Sequence, residues 1–138
     1  MADWDAAFLN DRYVDLAIPA IFFVANESEE QMLLSAYFGG DLNAYHGARF
    51  FIMRQIGRMI YAIIMFRLAC AANPAGLPDD PDMSTMTLRK AGGQMAAGEL
   101  SLSSYRGQLL YGKALLNEAL IDLRSQRFTR SMALLAEG

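Results

Sequence analysis

The amino-acid sequence predicts an all-α protein of five or six helices, and three observations support this fold class. Apolar residues recur at steps of three and four over long segments, which is the spacing of one helix face. No segment alternates apolar and polar residues with the β-branched side chains that are typical of strands. Apolar residues make up 54% of the 138 residues, which suits a large helical core or an apolar surface that meets a partner. We expect one helical domain over residues 1–138.

The charge is unevenly distributed along the chain. A net charge of −3 argues against a nucleic-acid partner, because nucleic-acid-binding proteins are normally basic. Residues 1–45 hold eight acidic residues and one basic residue, Arg12. This acidic segment suits a cation, either magnesium or a positively charged substrate, and it equally suits solvated turns and helix N-termini.

Cysteine content and hydropathy indicate a cytoplasmic protein. Cys70 is the single cysteine, which excludes a disulfide framework, and its apolar neighbours predict a buried side chain. The N-terminus shows no signal-peptide pattern. The most apolar run, Met59 to Phe66, is too short to span a membrane, and Arg58 and Arg67 flank it. We therefore expect neither a membrane partner nor a nucleic-acid partner.

Two helices are predicted before residue 41. Asp15 is the expected N-cap of the first, which runs to about Ala25, because this start places Pro19 in the first turn. Ser28 is the expected N-cap of the second helix, which Gly39 and Gly40 end.

The longest predicted helix begins at Asp41 and runs to about Ala72. Arg54 and Arg58 lie one turn apart on its polar side and are predicted to be solvated. The apolar side is a stripe at steps of three and four, expected to be buried: Tyr45, Ala48, Ile52, Ile56, Met59, Ile63, Phe66 and Cys70.

Residues 73–82 form a loop with three of the four prolines. A weakly helical segment, residues 83–98, is expected to be broken by Gly92-Gly93 and closed by Gly98. Ser103 or Ser104 then caps a long helix, and Ser125 caps a short final one.

The first residues carry a recognisable motif. Asp3-Trp4 is followed by an Asn10-Asp11 turn and then by Asp15-Leu-Ala. This segment resembles the metal-binding end of the aminoglycoside phosphotransferase and choline kinase superfamily, whose pattern is roughly Ile-Asp-[Trp/Phe]-Glu-Tyr-Ala-Gly-x-Asn-Asp-Pro-x-x-Asp-Leu-Ala. The resemblance implies that Asp3 is a magnesium ligand. It also implies that Asn10 and Asp15 belong to the structural motif, with Asp15 as a buried aspartate that opens the next helix.

The resemblance extends over nearly all 138 residues, more weakly than in the opening motif. Ser28-Glu-Glu-Gln, with Tyr37-Phe38-Gly39 after it, looks like the next helix of the family, and Ser125-x-x-Phe128 looks like its C-terminal end. The resemblance implies that these residues form the helical half of the C-terminal lobe of a kinase-like fold.

The chain also departs from the family pattern. It has no nucleotide-binding lobe with a phosphate-pairing lysine and no His-x-Asp-x-x-x-x-Asn catalytic loop, and His46, the single histidine, lies in the long helix. Phe8 replaces the usual glycine and Arg12 the usual proline. Phe22 stands where some choline-type relatives carry an acidic residue, so choline is poorly supported as a substrate.

The leading hypothesis is that this chain is the helical C-terminal portion of an ATP-dependent phosphotransferase. The acceptor would be a hydroxyl of a small molecule such as an amino alcohol or an aminoglycoside, with magnesium and ATP bound only by the complete enzyme. A missing N-terminal kinase lobe is then the implied partner. The sequence identifies no catalytic or substrate-binding residue, and the chain alone is expected to be inactive and to need no cofactor.

The alternative is an autonomous helical module that binds a partner or associates with itself. A homodimer is expected on the phosphotransferase hypothesis, through the apolar residues Trp4, Phe8, Phe22 and Phe23. In the parent fold the strand before Asp3 and the catalytic loop would cover these side chains, and a second copy would take the place of the missing lobe.

Overall fold

The computed structural model describes residues 11–73, residue 75 and residues 81–137, and within these ranges the chain forms α-helices and no β-strand. The all-α class and the expected number of helices are confirmed. Most of the proline-rich loop predicted at residues 73–82 lies outside the described residues. Short 3-10 turns at Gly39–Asp41 and Pro81–Thr85 precede the third and fourth helices. The six described helices are α1 (Arg12–Phe23), α2 (Glu27–Phe38), α3 (Ala44–Ala72), α4 (Leu88–Ala96), α5 (Tyr105–Leu123) and α6 (Gln126–Glu137).

The chain divides into two compact units. The first unit contains residues 1–54 and 131–138, and the second contains residues 55–130. Helices α3 and α6 therefore contribute residues to both units.

Helix α1 begins at Arg12 and not at Asp15. The Asp11 side chain is the N-cap, since it accepts a hydrogen bond from the Tyr13 backbone N–H at 3.0 Å. Asp15 is exposed in the first turn, so the predicted start and the buried aspartate implied by the resemblance are both wrong. Pro19 lies inside the helix, where it removes the bond to the Asp15 carbonyl. Asp15 and Pro19 are both exposed, so water can donate a hydrogen bond to the Asp15 carbonyl in place of the missing N–H.

Helix α2 begins with a capping box in place of the predicted Ser28 cap. The Asn26 side chain accepts from the Glu29 N–H at 3.0 Å, and the Glu29 carboxylate accepts from the Ala25 N–H at 2.8 Å. The helix ends at Gly39 as predicted, with a φ of 58° that favours glycine.

The core of the first unit is formed by side chains from α1, α2 and the first half of α3. Leu34 and Phe50 have no exposed surface. Removing such side chains from water is the main favourable term in folding. The cluster consists of Tyr13, Leu16, Ala17, Ala20, Leu34 and Phe50, with Val24, Leu33, Phe38, Leu42 and Met53 packed against it.

Helix α3 runs to Ala72 as predicted, but its start differs. The Asn43 side chain accepts from the His46 N–H at 3.1 Å, whereas Asp41 belongs to the preceding 3-10 turn.

The second unit is organised around α5, which Ser104 caps by accepting from the Gly107 N–H at 3.1 Å. The Asn117 side chain of α5 donates to the carbonyls of Met83 and Met86, both at 3.0 Å. These bonds fix the turn that precedes α4. Ser125 accepts from the Phe128 N–H at 3.3 Å, so the predicted cap of α6 is confirmed.

Helix α5 lies very close to α3 at Gly112. A Cβ placed there would lie 2.7 Å from the ring of Phe66 and 3.1 Å from Cβ of Met65. A glycine is therefore needed at this contact for steric reasons. Helix α4 continues through Gly92 and Gly93, so the predicted break at these glycines is wrong. In contrast to Gly112, a Cβ at Gly92 would meet nothing within 4 Å.

We expect Gly112→Ala to lower the free energy of unfolding by about 1–3 kcal/mol, since the Phe66 ring would have to move in a packed contact. Gly92→Ala is the matched control, and it should raise stability by about 0.5–1 kcal/mol because alanine is the better helix former. Urea unfolding followed by helicity measures both. A Gly112→Ala variant as stable as Gly92→Ala would show that α3 and α5 are not in close contact.

Candidate functional site

The motif residues implied by the resemblance are only partly described by the structure. Asp3 and Asn10 lie outside the described residues, and Asp15 is exposed on α1. Within the described ranges, no three His, Cys, Asp or Glu side chains come together in a way that could hold a metal ion.

A group of polar and aromatic side chains surrounds the start of α1, and we call it the N-terminal cluster: Asp11, Tyr13, Phe38, His46 and Arg49. The Asp11 carboxylate forms an ion pair with the Arg49 guanidinium. The Tyr13 hydroxyl and Nδ1 of His46 share a hydrogen bond at 2.6 Å. These two contacts join α1 to the first turns of α3.

Ring stacking extends the cluster to the end of α2. The His46 and Phe38 rings are nearly parallel, 8° apart, with 4.3 Å between their centroids. The Arg12 guanidinium lies 5.0 Å from the centroid of Phe38, within the range of a cation–π contact. Tyr13 is only 3% exposed. The cluster connects three helices, and the hydrogen bonds of Asp11 and Tyr13 join groups of the protein to each other.

The charges of the cluster shift two pKa values. Burial on its own raises the pKa of Asp11, but the Tyr13 backbone N–H and the Arg49 guanidinium outweigh it and lower that pKa below its ordinary value of 3.8. The hydrogen bond to Asp11 raises the pKa of Arg49 in turn. Asp11 is therefore held as a carboxylate and serves as a cap and an ion-pair partner.

Arg54 is buried in the first unit, although the sequence predicts a solvated side chain. Its residue is 8% exposed, and its guanidinium contacts the Glu30 carboxylate at 3.3 Å and donates to the Val24 carbonyl at 2.5 Å. Glu30 is 1% exposed. The pair therefore lies in the interior, where either charge alone would be strongly unfavourable.

Arg58 is buried in the second unit, again against the prediction. Its guanidinium donates to Asp122 at 2.7 Å and Glu118 at 3.0 Å, which are one turn apart on α5. The second Glu118 oxygen accepts from the Leu88 N–H, at the start of α4, at 2.9 Å. Arg58 and Glu118 together thus connect α3, α4 and α5.

The outward side of α3 in the second unit is apolar, and we call it the α3 face: Ile56, Ile60, Ile63, Ile64 and Leu68. Their exposed fractions range from 38% to 58%. The predicted buried stripe is therefore wrong at Ile56 and Ile63, and Cys70 is exposed as well. A shallow depression of about 340 Å³ is lined by Ile64, Arg67 and Leu68.

Helix α3 is also long and apolar enough to cross a membrane, judged by length and composition alone. Arg54 and Arg58 lie within this helix, each in ion pairs with acidic residues. The expectations of a cytoplasmic location and of no membrane partner stay predictions.

Exposed apolar residues also occur in the first unit. Phe22 is 47% exposed and Phe23 81%, which agrees with their predicted place on an association surface. Trp4 and Phe8, the other residues predicted for that surface, lie outside the described residues.

Comparison with protein-family models, with curated proteins and with solved structures gave no match.

We expect Arg54→Met to lower the free energy of unfolding by about 3–5 kcal/mol, because it leaves Glu30 as an unpaired buried charge. Arg67→Met, an exposed arginine of the same helix, should change stability by less than about 0.5 kcal/mol. The double variant Arg54→Met/Glu30→Leu should recover much of the loss, since no charge then stays buried alone. Urea unfolding measures all three, and an equal effect of Arg54→Met and Arg67→Met would contradict the buried pair.

We expect Asp11→Ala to cost about 0.5–2 kcal/mol through loss of the cap. Asp15→Ala should cost less, because that side chain contributes only through the helix dipole. Since folding lowers the pKa of Asp11, its charge stabilises the protein above the unfolded pKa of about 3.9, and this contribution disappears as the pH falls through the folded pKa.

Asp11→Asn keeps a capping oxygen without the charge. Its stability difference from the native protein should therefore shrink as the pH is lowered below about 4. Thermal unfolding between neutral and acidic pH provides the measurement. A difference that is constant with pH would show that the Asp11 charge contributes nothing.

Proposed function

We propose that this chain is the helical C-terminal portion of an ATP-dependent phosphotransferase that acts on a hydroxyl of a small molecule. The carrying observation is the start of α1. In the family pattern a proline follows Asn-Asp, and in this chain Asp11 is the N-cap and Arg12 the first helical residue. The first helical position is the one where proline is best tolerated, so the motif and this helix start are physically compatible.

Further helix ends support the proposal. Helix α2 stops at Phe38-Gly39, where the resemblance expects a Tyr-Phe-Gly turn, and α6 follows Ser125, where it expects the last helix.

In the complete enzyme, Asp3 would bind magnesium together with substrate phosphates and at least one further oxygen ligand. Magnesium would there neutralise charge on the transferred phosphoryl group. The acceptor would be an amino alcohol or an aminoglycoside-like molecule. Positioning is most of the catalysis in phosphoryl transfer, so a chain without the nucleotide lobe and the catalytic loop would be inactive alone.

The test is a chimera. The nucleotide lobe and catalytic loop of a characterised aminoglycoside phosphotransferase are fused to residues 1–138 in place of its own C-terminal helices. We expect ADP release with at least one amino alcohol or aminoglycoside, and no release by residues 1–138 alone.

Asp3→Asn should abolish the activity of the chimera, and Asp15→Asn, on the exposed side of α1, should leave most of it. A folded chimera that binds an ATP analogue but transfers phosphate to none of these acceptors would count against the proposal, as would activity that survives Asp3→Asn.

A second candidate function is an autonomous helical module that associates with a partner or with itself. The α3 face favours this second function, because five large aliphatic side chains on one side of the helix are exposed to water. Apolar side chains that are exposed together on one surface often mark an interaction site, whereas single exposed apolar residues are common on any protein.

A further inference from the structure

The α3 face is a self-complementary stripe of aliphatic side chains. Its five members lie between positions 56 and 68, at helical steps that place them on one side of the helix. The twelve residue steps from position 56 to position 68, at about 1.5 Å each, give a stripe of roughly 18 Å. A two-fold symmetric contact needs one patch that fits its own copy, and an uncharged stripe meets this condition without opposing like charges.

We propose that two copies of this chain associate through the α3 face to form a symmetric dimer. The proposal rests on the association-module candidate, for which it names the surface and the partner. It is independent of the phosphotransferase proposal, whose test is enzymatic.

The charges near the face argue for a second copy over a lipid surface. Helices that lie on membranes carry lysine and arginine on a polar side that meets the headgroups. On α3, Arg54 and Arg58 are buried in ion pairs, and Arg67 alone is exposed beside the stripe. The chain also has a net charge of −3, which opposes binding to an anionic membrane.

The area of the face sets the expected strength. Five side chains about half exposed, with the flanking stem of Arg67, would bury on the order of 1,000 Å² in a dimer, near the lower limit for a specific interface. We therefore expect a reversible dimer with a dissociation constant in the micromolar range and not an obligate one.

The experiment is sedimentation velocity of the full chain from low to high micromolar concentration. Ile63→Glu places a charge on the most exposed residue of the face and should weaken dimerisation at least about tenfold. Ile60→Glu should act in the same direction. The matched control is Ile121→Glu, an isoleucine of α5 in the same unit with 64% exposure, which should leave dimerisation unchanged. Circular dichroism verifies that each variant keeps its helices.

Three results would overturn the proposal: a monomer at every concentration, a dimer that Ile63→Glu leaves intact, or a dimer that Ile121→Glu weakens equally. A parallel arm mixes the chain with vesicles of neutral and of anionic phospholipid. If the chain stays monomeric and binds vesicles through Ile63, the partner of the α3 face is a lipid surface and not a second copy. None of these results bears on the chimera, so the two proposals fail separately.

Discussion

The buried arginines of α3 determine which side of this helix faces the interior. Arg54 contacts Glu30 in the first unit, and Arg58 contacts Glu118 and Asp122 in the second. A guanidinium removed from water is tolerated only next to hydrogen-bond acceptors. Each ion pair therefore holds the arginine side of α3 against the helix that carries the acidic partner. In the second unit the α3 face lies on the other side of the helix from Arg58 and is exposed to water.

This arrangement gives the two sides of α3 different surroundings. The charged side has partners within the described protein, whereas the apolar side has large aliphatic surface in contact with water. Exposing apolar surface has a cost that burial elsewhere must offset, and association would relieve it. The surface is compatible with both functional proposals, because a further lobe or a second copy would each remove apolar side chains from water.

The N-terminal cluster shows how a local motif acquires a tertiary role. Asp11 begins as a helix cap, and Arg49 then adds a long-range ion pair to the same carboxylate. His46 is engaged by Tyr13 and Phe38 in the packing of three helices. The residues of the N-terminal cluster thus serve the fold of the first unit.

The sequence by itself determined the helical class and several helix ends, such as Gly39, Ala72 and Ser125, because caps and left-handed glycines act over a few residues. It left the cap of α5 open between Ser103 and Ser104, and the structure shows Ser104. The sequence predicted the starts of α1 and α2 wrongly, at Asp15 and Ser28, because an earlier capping residue, Asp11 or Asn26, precedes each of them by a few positions. Tertiary structure alone decided the inward side of α3. The partners of Arg54 and Arg58 lie 24 and 60 or more residues away in sequence, and hydrophobic periodicity carries no information about ion pairs at that distance.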